Sequence, residues 1–395
     1  MMGSVSVCFD LESSGAGGIA SLHTHNILSG KCPEVQLTAM ADRKESRREW
    51  IRATVPNAAV FCEGSDLIAS DTCDAVLIAT PHYQHPTLAI EAFRHGKHVL
   101  CEKPAGVYTL QVRDMIAEAD KHPELTFGMM FNQRTNCVYR KAKALIDSGA
   151  LGEIKRMIWV VTDWYRTQSY YDAGAWRATW DGEGGGVLLN QCPHQLDLLQ
   201  WLCGLPTTVR AFCHEGKWHD IEVEDDVTAY LEFPGGATGV FIASTGELPG
   251  TNRLEIACDR GKVVCENGQL TLWRLPQSES AYYRRSASAY PHAEVQVEIL
   301  PLDGENPQHV GVLNAFAAHI LHGAPLVADG AEGIRALMLS NAMHLSSWTG
   351  KPVSLPIDEG EFARLLAEKR LHSRKKQVKE VTFATDHSGT GRAEG

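Results

Sequence analysis

Residues 77–104 read LIATPHYQHPTLAIEAFRHGKHVLCEKP and contain a strand, a helix and a second strand in that order. An apolar strand at 74–79 ends at Thr80-Pro81, a run with helical spacing follows at 85–95, and residues 98–102 form the next strand. Both strands are continuous apolar runs, which is typical of parallel strands covered by helices on both faces. This stretch therefore predicts a doubly wound α/β sheet.

The same alternation continues on both sides of this stretch. We predict strands at 5–9, 35–41, 58–62 and 125–131, and helices at 18–30, 43–54 and 109–121. Strands that alternate with helices of this length build a parallel sheet. Residues 1–135 are therefore expected to form a Rossmann-type N-terminal domain, an α/β fold with a doubly wound parallel sheet.

The pattern changes after residue 135. Strand signatures lie at 154–163, 208–215, 225–233, 237–245, 252–258, 262–266 and 269–273, with helices predicted at 192–203, 308–322 and 329–349. Successive strands joined by turns such as Pro234-Gly235-Gly236 favour antiparallel pairing. We expect a second α/β domain with a large, mostly antiparallel sheet over 136–355. Residues 356–395 are predicted to be a C-terminal extension with a mobile end.

The composition limits the classes of function. The formal net charge of −11 argues against nucleic acid and anionic membranes as partners. No run approaches the roughly 18 uncharged apolar residues of a membrane helix, and the N-terminus lacks the basic region of a secretory signal. The eleven cysteines are scattered without a CxxC pair. We therefore expect reduced thiols and a cytoplasmic protein.

The stretch Gly15-Ala16-Gly17-Gly18-Ile19-Ala20 fits the pattern G-x-G-x-x-[G/A]. A strand precedes it and a helix follows, so the N–H groups that begin this helix are placed to bind a pyrophosphate. The next strand ends in Asp42, whose carboxylate is placed to accept a hydrogen bond from a ribose 2′-hydroxyl and so favours NAD, while Arg43 keeps NADP open. Residues 10–14 separate the strand from the glycines, so either the strand is longer than 5–9 or this loop is irregular. A glycine-rich turn without nucleotide is the alternative to a cofactor site.

Residues 77–104 also resemble the glucose–fructose oxidoreductase/inositol dehydrogenase (Gfo/Idh/MocA) family, which has A-T-P, then H-x-x-x-A-x-x-A-x-x-x-G-K-H-V, then E-K-P. The segment 184–197, GGGVLLNQCPHQLD, resembles its second signature, GGG-x-L-x-D-x-G-x-H-x-x-D. Segments 145–154 and 341–352 fit as well. The resemblance implies an NAD(P)-dependent oxidoreductase acting on CH–OH groups. It also implies that the open face of the second sheet forms a subunit interface, so we expect a homo-oligomer.

Two side chains are predicted to carry the chemistry. Oxidation of a secondary alcohol requires a base for the O–H proton and a cation beside the developing alkoxide. Lys103 follows a strand at the edge where open α/β sheets bind ligands, and His194 lies near the start of a helix. We expect Lys103 to stabilise the alkoxide and His194 to accept the proton, which are the roles that the resemblance also implies. The alternatives are a surface lysine and a structural histidine.

The second signature departs from the family pattern at two positions. Asn190 stands where the family often has aspartate, so we expect a neutral side chain that hydrogen-bonds a substrate hydroxyl. Cys192 replaces the usual glycine, so the backbone there is expected to differ. Asp197 is predicted to be structural, with orientation of His194 as the alternative.

The segment 163–180, DWYRTQSYYDAGAWRATW, is crowded with aromatic residues. Aromatic faces pack on the C–H surfaces of sugars, and arginine donates to hydroxyls. The residues expected to bind substrate here are Trp164, Tyr165, Arg166, Trp176 and Arg177. The alternative for many of these rings is a place in the core.

The remaining expected contacts lie near strand ends. Cofactor contacts are expected from Thr80, Pro81, His85, Glu102, Lys103 and Asn132, and a substrate contact from Arg134. His214 and His219 lie among acids and raise the alternative of a metal site. A solvated surface is the preferred interpretation, and no metal is expected.

The expected reaction is the oxidation of a secondary ring hydroxyl of a sugar, glycoside or cyclitol to a ketone. The C3 hydroxyl of a glucoside is the preferred position, because the aromatic segment offers a place for an aglycone. A redox-assisted glycosidase with transient oxidation by bound NAD is a second hypothesis. A non-enzymatic regulator that senses NAD or sugar on the same scaffold is a third.

Overall fold

The computed structural model describes residues 4–10, 18–374 and 376. The predictions for Gly15, Gly17 and the loop that precedes them lie outside these residues. The same is true of the end of the C-terminal extension.

The first domain is built on a parallel sheet. Its elements in chain order are β1 (Val5–Asp10), α1 (Gly18–Leu28), β2 (Val35–Ala41), α2 (Glu45–Thr54), β3 (Ala59–Phe61), α3 (Gly64–Ile68), β4 (Ala75–Ile78), α4 (His85–Arg94), β5 (His98–Cys101), α5 (Thr109–Ala119) and β6 (Phe127–Met129). The strand order is β3-β2-β1-β4-β5-β6, with all neighbours parallel, which confirms the predicted doubly wound sheet. Because the chain order reverses between β1 and β4, a ligand cleft opens at their carboxyl ends.

The second domain carries a larger sheet. Its elements are α6 (Cys137–Asp147), β7 (Ile154–Val161), α7 (Gln168–Asp172), α8 (Pro193–Cys203), β8 (Thr208–Glu215), β9 (Glu224–Glu232), β10 (Thr238–Ser244), β11 (Asn252–Cys258), β12 (Gly261–Glu266), β13 (Gln269–Arg274), α9 (Glu279–Arg285), β14 (Gln296–Ile299), α10 (Gln308–His322), α11 (Gly333–Thr349), β15 (Val353–Ser354) and α12 (Glu359–Leu371). The strand order is β14-β13-β12-β11-β7-β10-β9-β8-β15. Only β7 and β10 are parallel neighbours within this described sheet, so the prediction of a mostly antiparallel sheet is confirmed.

Helix α10 returns to the first domain. Its apolar side chains Val312, Leu313, Phe316 and Ala317 are buried in the same core as side chains of β1 and β2. Their spacing places them on one face of the helix. The core of the first domain is therefore completed by residues that lie far beyond position 135.

Helices α6 and α12 were not predicted. Over its whole length α12 buries only Phe362 and Leu366, which is too few for a clear apolar stripe. The helix is nevertheless docked, since Glu359 at its start pairs with Arg113 of α5 at 2.7 Å. The first part of the C-terminal extension is therefore ordered.

The cysteines differ from the expectation of reduced thiols throughout. Nine cysteines of the described chain are free, but Cys73 is disulfide-bonded. Cys73 lies just before β4, and strand pairing brings together segments that are remote in sequence, which the spacing of cysteines does not reveal. None of the described helices has the length and apolar character needed to cross a membrane.

Candidate active site

A short π-helical turn, Val187–Gln191, leads into α8. The buried carboxylate of Glu224 holds its start, accepting hydrogen bonds from the N–H groups of Gly186 (2.9 Å) and Leu188 (3.0 Å). Glycine is required at 186 because a Cβ there would lie 2.0 Å from the carbonyl oxygen of Glu224. π-Helical turns are rare and occur often at functional sites. The glycine run of the second signature therefore shapes the turn that precedes His194.

Lys103 follows β5 and reaches this turn. Its ammonium donates a hydrogen bond of 3.0 Å to the main-chain carbonyl of Asn190. Burial lowers the pKa of Lys103, and the neighbouring charge of Glu102 opposes this effect. An ammonium has three N–H donors, so two remain for a ligand.

His194 lies in the first turn of α8, and only 8% of it is exposed. Burial holds the pKa of its imidazole well below the usual range, and the positive charge of Lys103 lowers it further. Nδ1 has no hydrogen-bond partner among the described residues. The ring is therefore neutral at neutral pH and able to accept a proton. The structure brings Lys103 and His194 into one electrostatic neighbourhood.

Buried histidines beside Lys103 were missed by the sequence analysis. Oε1 of Glu102 lies 2.8 Å from Nε2 of His23, whose ring meets that of His309 edge to face at 5.3 Å. Burial alone would raise the pKa of Glu102, but the hydrogen bond and charge of His23 bring it down to about 2. Nδ2 of Asn132 lies 3.3 Å from the His309 ring. No local signal marks these histidines, because they come from α1 and α10.

His85 does not present a free ring nitrogen to the cleft, in contrast to the cofactor contact expected for it. Nδ1 lies 2.7 Å from the carbonyl oxygen of Pro104, and Nε2 lies 2.7 Å from that of Thr80. Both nitrogens thus lie within hydrogen-bond distance of main-chain carbonyl oxygens, and the nitrogen that carries the proton donates to its neighbour. The buried ring holds the end of β4 against the loop that follows Lys103.

The residue after β2 fits a ribose. Oδ1 of the buried Asp42 accepts a hydrogen bond of 2.8 Å from the N–H of Lys44. Oδ2 has no hydrogen-bond partner among the described residues, and the closest cation, Arg47, is 3.9 Å away. Burial raises the pKa of Asp42. The hydroxyl of Thr80 is likewise buried without a partner in the described chain. Unused buried acceptors and hydroxyls at this edge match the needs of a ribose diol.

Other residues expected at the cofactor lie around the same edge. Gly18 begins α1, with open space where a Cβ would stand. Ile19 and Pro81 are half-buried. The guanidinium of Arg43 pairs with the carboxylate of Glu63 at 2.8 Å on the surface of the first domain. This pairing favours NAD over NADP, whose 2′-phosphate needs a cation.

The aromatic segment forms a stack of rings and guanidinium groups. Arg166 lies over the rings of Trp164 and Tyr170, at 5.4 and 5.0 Å. Arg177 lies over the rings of Tyr170 and Trp176, at 4.4 and 5.1 Å. Such cation–π contacts order both partners. The predicted aromatic and arginine residues therefore form one continuous surface.

This stack reaches the cleft. The charge of Arg166 acts on Lys103. The ring of Trp176 packs edge to face against His82 at 5.5 Å. Tyr165, which lies between Trp164 and Arg166 in the sequence, is exposed. The segment thus borders the site that holds the ammonium.

Arg134 was expected to bind substrate, but three hydrogen bonds to carboxylates already engage its guanidinium. It is buried and makes two hydrogen bonds to Asp197, of 2.8 and 2.6 Å, and a third to Glu332 of 2.9 Å. A buried guanidinium requires such partners to offset its lost hydration. Asp197 is therefore structural, as one reading of the sequence had it, and ties α8 to the turn after β6.

A buried acid, Glu183, was also missed. Its carboxylate accepts a hydrogen bond from the side-chain amide of Asn190. Burial raises the pKa of Glu183 to about 7. A strongly shifted pKa in a cleft marks a candidate functional group. The signal in the sequence is a single carboxylate within a glycine-rich run. Cys192, by contrast, is a buried thiol at the end of the π-helical turn.

His214 and His219 do not share a ligand site. Nδ1 of His214 lies 3.0 Å from Asp226, whereas Nδ1 of His219 lies 2.9 Å from Asp225. Nε2 of His219 contacts the carbonyl of Arg166 at 2.9 Å. These contacts order the connection between β8 and β9.

Two family models match the chain. Residues 14–129 match the model described as oxidoreductase family, NAD-binding Rossmann fold. Residues 139–264 match the GFO/IDH/MocA C-terminal domain. The first domain is therefore an NAD-binding domain.

Similar proteins cover most of the chain. Myo-inositol 2-dehydrogenase of Thermotoga maritima is 23% identical over 86% of this chain and 97% of its own length. D-glucoside 3-dehydrogenase of Escherichia coli K12 is 24% identical over 82% and 91%. The solved WlbA dehydrogenase from Bordetella pertussis, in complex with NADH and UDP-GlcNAcA, is 25% identical, with 90% of this chain and all of that chain covered at a TM-score of 0.74. The chain belongs to the GFO/IDH/MocA family of NAD-dependent oxidoreductases.

Proposed function

We propose that this protein oxidises a secondary ring hydroxyl of a sugar, glycoside or cyclitol to a ketone. The observation that supports the proposal is the hydrogen bond from the half-buried ammonium of Lys103 to the carbonyl of Asn190, four residues before His194, whose imidazole pKa is lowered by burial and by the charge of Lys103. Two relatives named as inositol and glucoside dehydrogenases support this substrate class. The second relative, together with the aromatic stack beside the cleft, supports C3 of a glucoside as the position of oxidation.

His194, Lys103 and the aromatic surface have separate roles in this reaction. Asp42 and Thr80 would help to hold NAD, which would supply the acceptor for the hydride of the carbinol carbon. The neutral imidazole of His194 accepts the hydroxyl proton. The ammonium of Lys103, anchored on Asn190, donates its remaining N–H groups to the developing alkoxide. The surface from Trp164 to Arg177 orients the ring and excludes water.

The test is the reduction of NAD and of NADP by the purified protein with a panel of hexoses, glycosides and inositols. We expect NADH to form with at least one glycoside or inositol, and NAD to be preferred. Glycoside hydrolysis without net NADH would instead identify a redox-assisted glycosidase. Tight NAD binding without turnover of any polyol would identify a sensing regulator.

We also propose that the protein is a homo-oligomer that associates through the open face of the second sheet. Ile158, Val240, Tyr230 and Arg210 stand opposite one another across four neighbouring strands. Ile158 and Tyr230 are 37% and 44% exposed, and Phe212 nearby is 53% exposed. Contiguous exposed apolar surface marks an interaction site. Light scattering should show an oligomer that Tyr230→Glu dissociates, and a monomeric wild type would refute the assembly.

A further inference from the structure

Glu183 is a buried acid that lies outside the ion pairs of the described residues. Only 1% of the residue is exposed, and none of the ion pairs in the described part of the chain includes it. Burying a carboxylate without a paired cation is unfavourable. Its position in the cleft therefore calls for a functional reason.

The two carboxylate oxygens of Glu183 join two parts of the site. Oε2 accepts a hydrogen bond of 2.6 Å from the N–H of Ala178, and Oε1 accepts one from Nδ2 of Asn190. Ala178 has φ 54°, a left-handed conformation that is unfavourable for a residue with a side chain. This strained residue directly follows Arg177 of the aromatic stack. Glu183 thus ties the stack to the π-helical turn.

Asn190 is consequently held at two atoms. Its carbonyl oxygen accepts from Lys103, and its Nδ2 donates to Glu183. Oδ1 is the polar atom of that amide left to accept a hydrogen bond from a ligand. Asn190 therefore offers an acceptor beside the ammonium of Lys103.

We propose that Glu183 is a positioning residue that fixes the amide of Asn190, so that Oδ1 accepts a hydrogen bond from the substrate hydroxyl adjacent to the one oxidised. This inference rests on the proposed dehydrogenase function and narrows its substrates to vicinal diols. Glu183 does not touch the substrate and acts through Asn190.

The ionised carboxylate of Glu183 accepts at both oxygens, whereas burial favours the neutral carboxyl. Burial raises its pKa to about 7, while Arg177 and the N–H groups of Ala178 and Asn190 act in the opposite direction. The other charged or titratable groups that interact with it are Glu224, Lys103, Lys376 and Tyr171, and its carbonyl oxygen lies 3.1 Å from His82. Because the fold stabilises the neutral form, a neutral isostere at 183 should not unfold the protein.

The experiment exchanges the carboxylate and the amide group between positions 183 and 190. In Glu183→Gln, the amide oxygen takes the N–H of Ala178, and the NH₂ group then faces Asn190. The Asn190 amide must turn over and present a donor instead of an acceptor to the substrate. In Asn190→Asp, two carboxylates face each other. The double variant Glu183→Gln/Asn190→Asp reverses the pair, with the donor at 183 and the acceptor at 190, and it leaves an acceptor oxygen at 190 for the substrate.

We expect Glu183→Gln to lower kcat/KM for a vicinal diol by roughly 10-fold, with an unchanged melting temperature at pH 8. Asn190→Asp should lose activity as the pH rises above 7, since both carboxylates then ionise. The double variant should recover to within a few-fold of the wild type. A deoxy analogue that lacks the adjacent hydroxyl should be a poor substrate whose kcat/KM does not respond to Glu183→Gln.

The inference is overturned if the double variant is no better than Glu183→Gln, or if Glu183→Gln affects the diol and the deoxy analogue equally. If none of the tested sugars, glycosides or cyclitols supports NAD reduction by the wild type, the proposed function fails independently of this inference. In that case, binding replaces turnover as the readout. The shift in melting temperature produced by methyl β-D-glucoside and by myo-inositol in the presence of NADH is compared between the wild type, the two single variants and the double variant. A smaller shift in Glu183→Gln that recovers in the double variant would support the inference. No shift in the wild type would overturn it.

Discussion

The ammonium of Lys103 donates a hydrogen bond of 3.0 Å to the main-chain carbonyl of Asn190, four residues before His194. Lys103 belongs to the first domain, whereas Asn190 and His194 belong to the second. This contact sets the ammonium relative to the imidazole, because Asn190 and His194 are on adjoining turns. The proposed acid–base pair is therefore assembled only where the two domains meet.

Replacing Lys103 with methionine removes the charge and keeps most of the buried volume. We expect kcat/KM to fall by roughly 10²- to 10⁴-fold, the range for loss of an acid–base or electrostatic group. NAD affinity, measured by calorimetry, should change little. Lys103→Arg serves as the control that keeps a cation in a different geometry. A Lys103→Met enzyme with normal turnover would remove this residue from the mechanism.

Replacing Asp42 with serine removes the carboxylate that is suited to a ribose diol. We expect KM for NAD to rise by roughly 10-fold, as for the loss of a charge-assisted hydrogen bond. The preference for NAD over NADP should decrease. Arg43→Ala is the matched control and should alter KM for NAD little, because that guanidinium pairs with Glu63. Steady-state kinetics with both cofactors check this, and equal effects of the two variants would contradict it.

Replacing Arg134 with methionine should affect stability rather than binding. It leaves Asp197 buried without its cation, which typically costs about 3–5 kcal/mol. Urea unfolding should show this loss, while KM for substrate stays near that of the wild type. The double variant Arg134→Met/Asp197→Leu should recover much of the stability. A large rise in KM for the single variant would return Arg134 to the binding site.

Acid should weaken the fold through buried neutral histidines. Burial lowers the pKa of His309 to about 4, and the charge of His23 acts in the same direction. The unfolded chain, with a pKa of about 6.5, takes up the proton first as pH falls. The contribution of neutral His309 to the free energy of unfolding is therefore fully present above about pH 6.5 and is lost as the pH falls to about 4. It amounts to about 3 kcal/mol. Unfolding curves at several pH values should show a smaller loss in His309→Asn, and an equal loss would reject this source.

Lys376 connects the C-terminal extension to the aromatic segment. Its ammonium donates to the carbonyl oxygens of Tyr171 and Arg177, at 2.6 and 3.2 Å. We expect Lys376→Met to loosen this segment and raise KM several-fold, with kcat little changed. Lys351→Met, at an exposed surface position, is the control. Identical kinetics of the two variants would show that the extension plays no part in substrate binding.

The features predicted correctly from the sequence are those with a local pattern. The strand runs around 77–104 and the helical spacing of 308–322 depend on nearby residues, and both are confirmed. The meeting of Lys103 with the turn before His194 followed from strand ends and from a family signature.

The features that were missed depend on contacts between distant segments. His23 and His309 meet only because α10 packs on the first domain. Arg134 looked like a substrate ligand because nothing nearby in sequence reveals its partner Asp197. Glu183 was overlooked because its burial and its contact with Asn190 are visible only in three dimensions.

The path of α10 bears on how proteins of this architecture exchange parts. Phe316 and Leu313 fill space under the nucleotide-binding sheet, so a fragment cut at residue 135 would expose that apolar surface to water. A single crossover within the gene would pair this sheet with a foreign α10. Two crossovers, one on each side of the second domain, are needed to transplant the nucleotide-binding unit with its own lining.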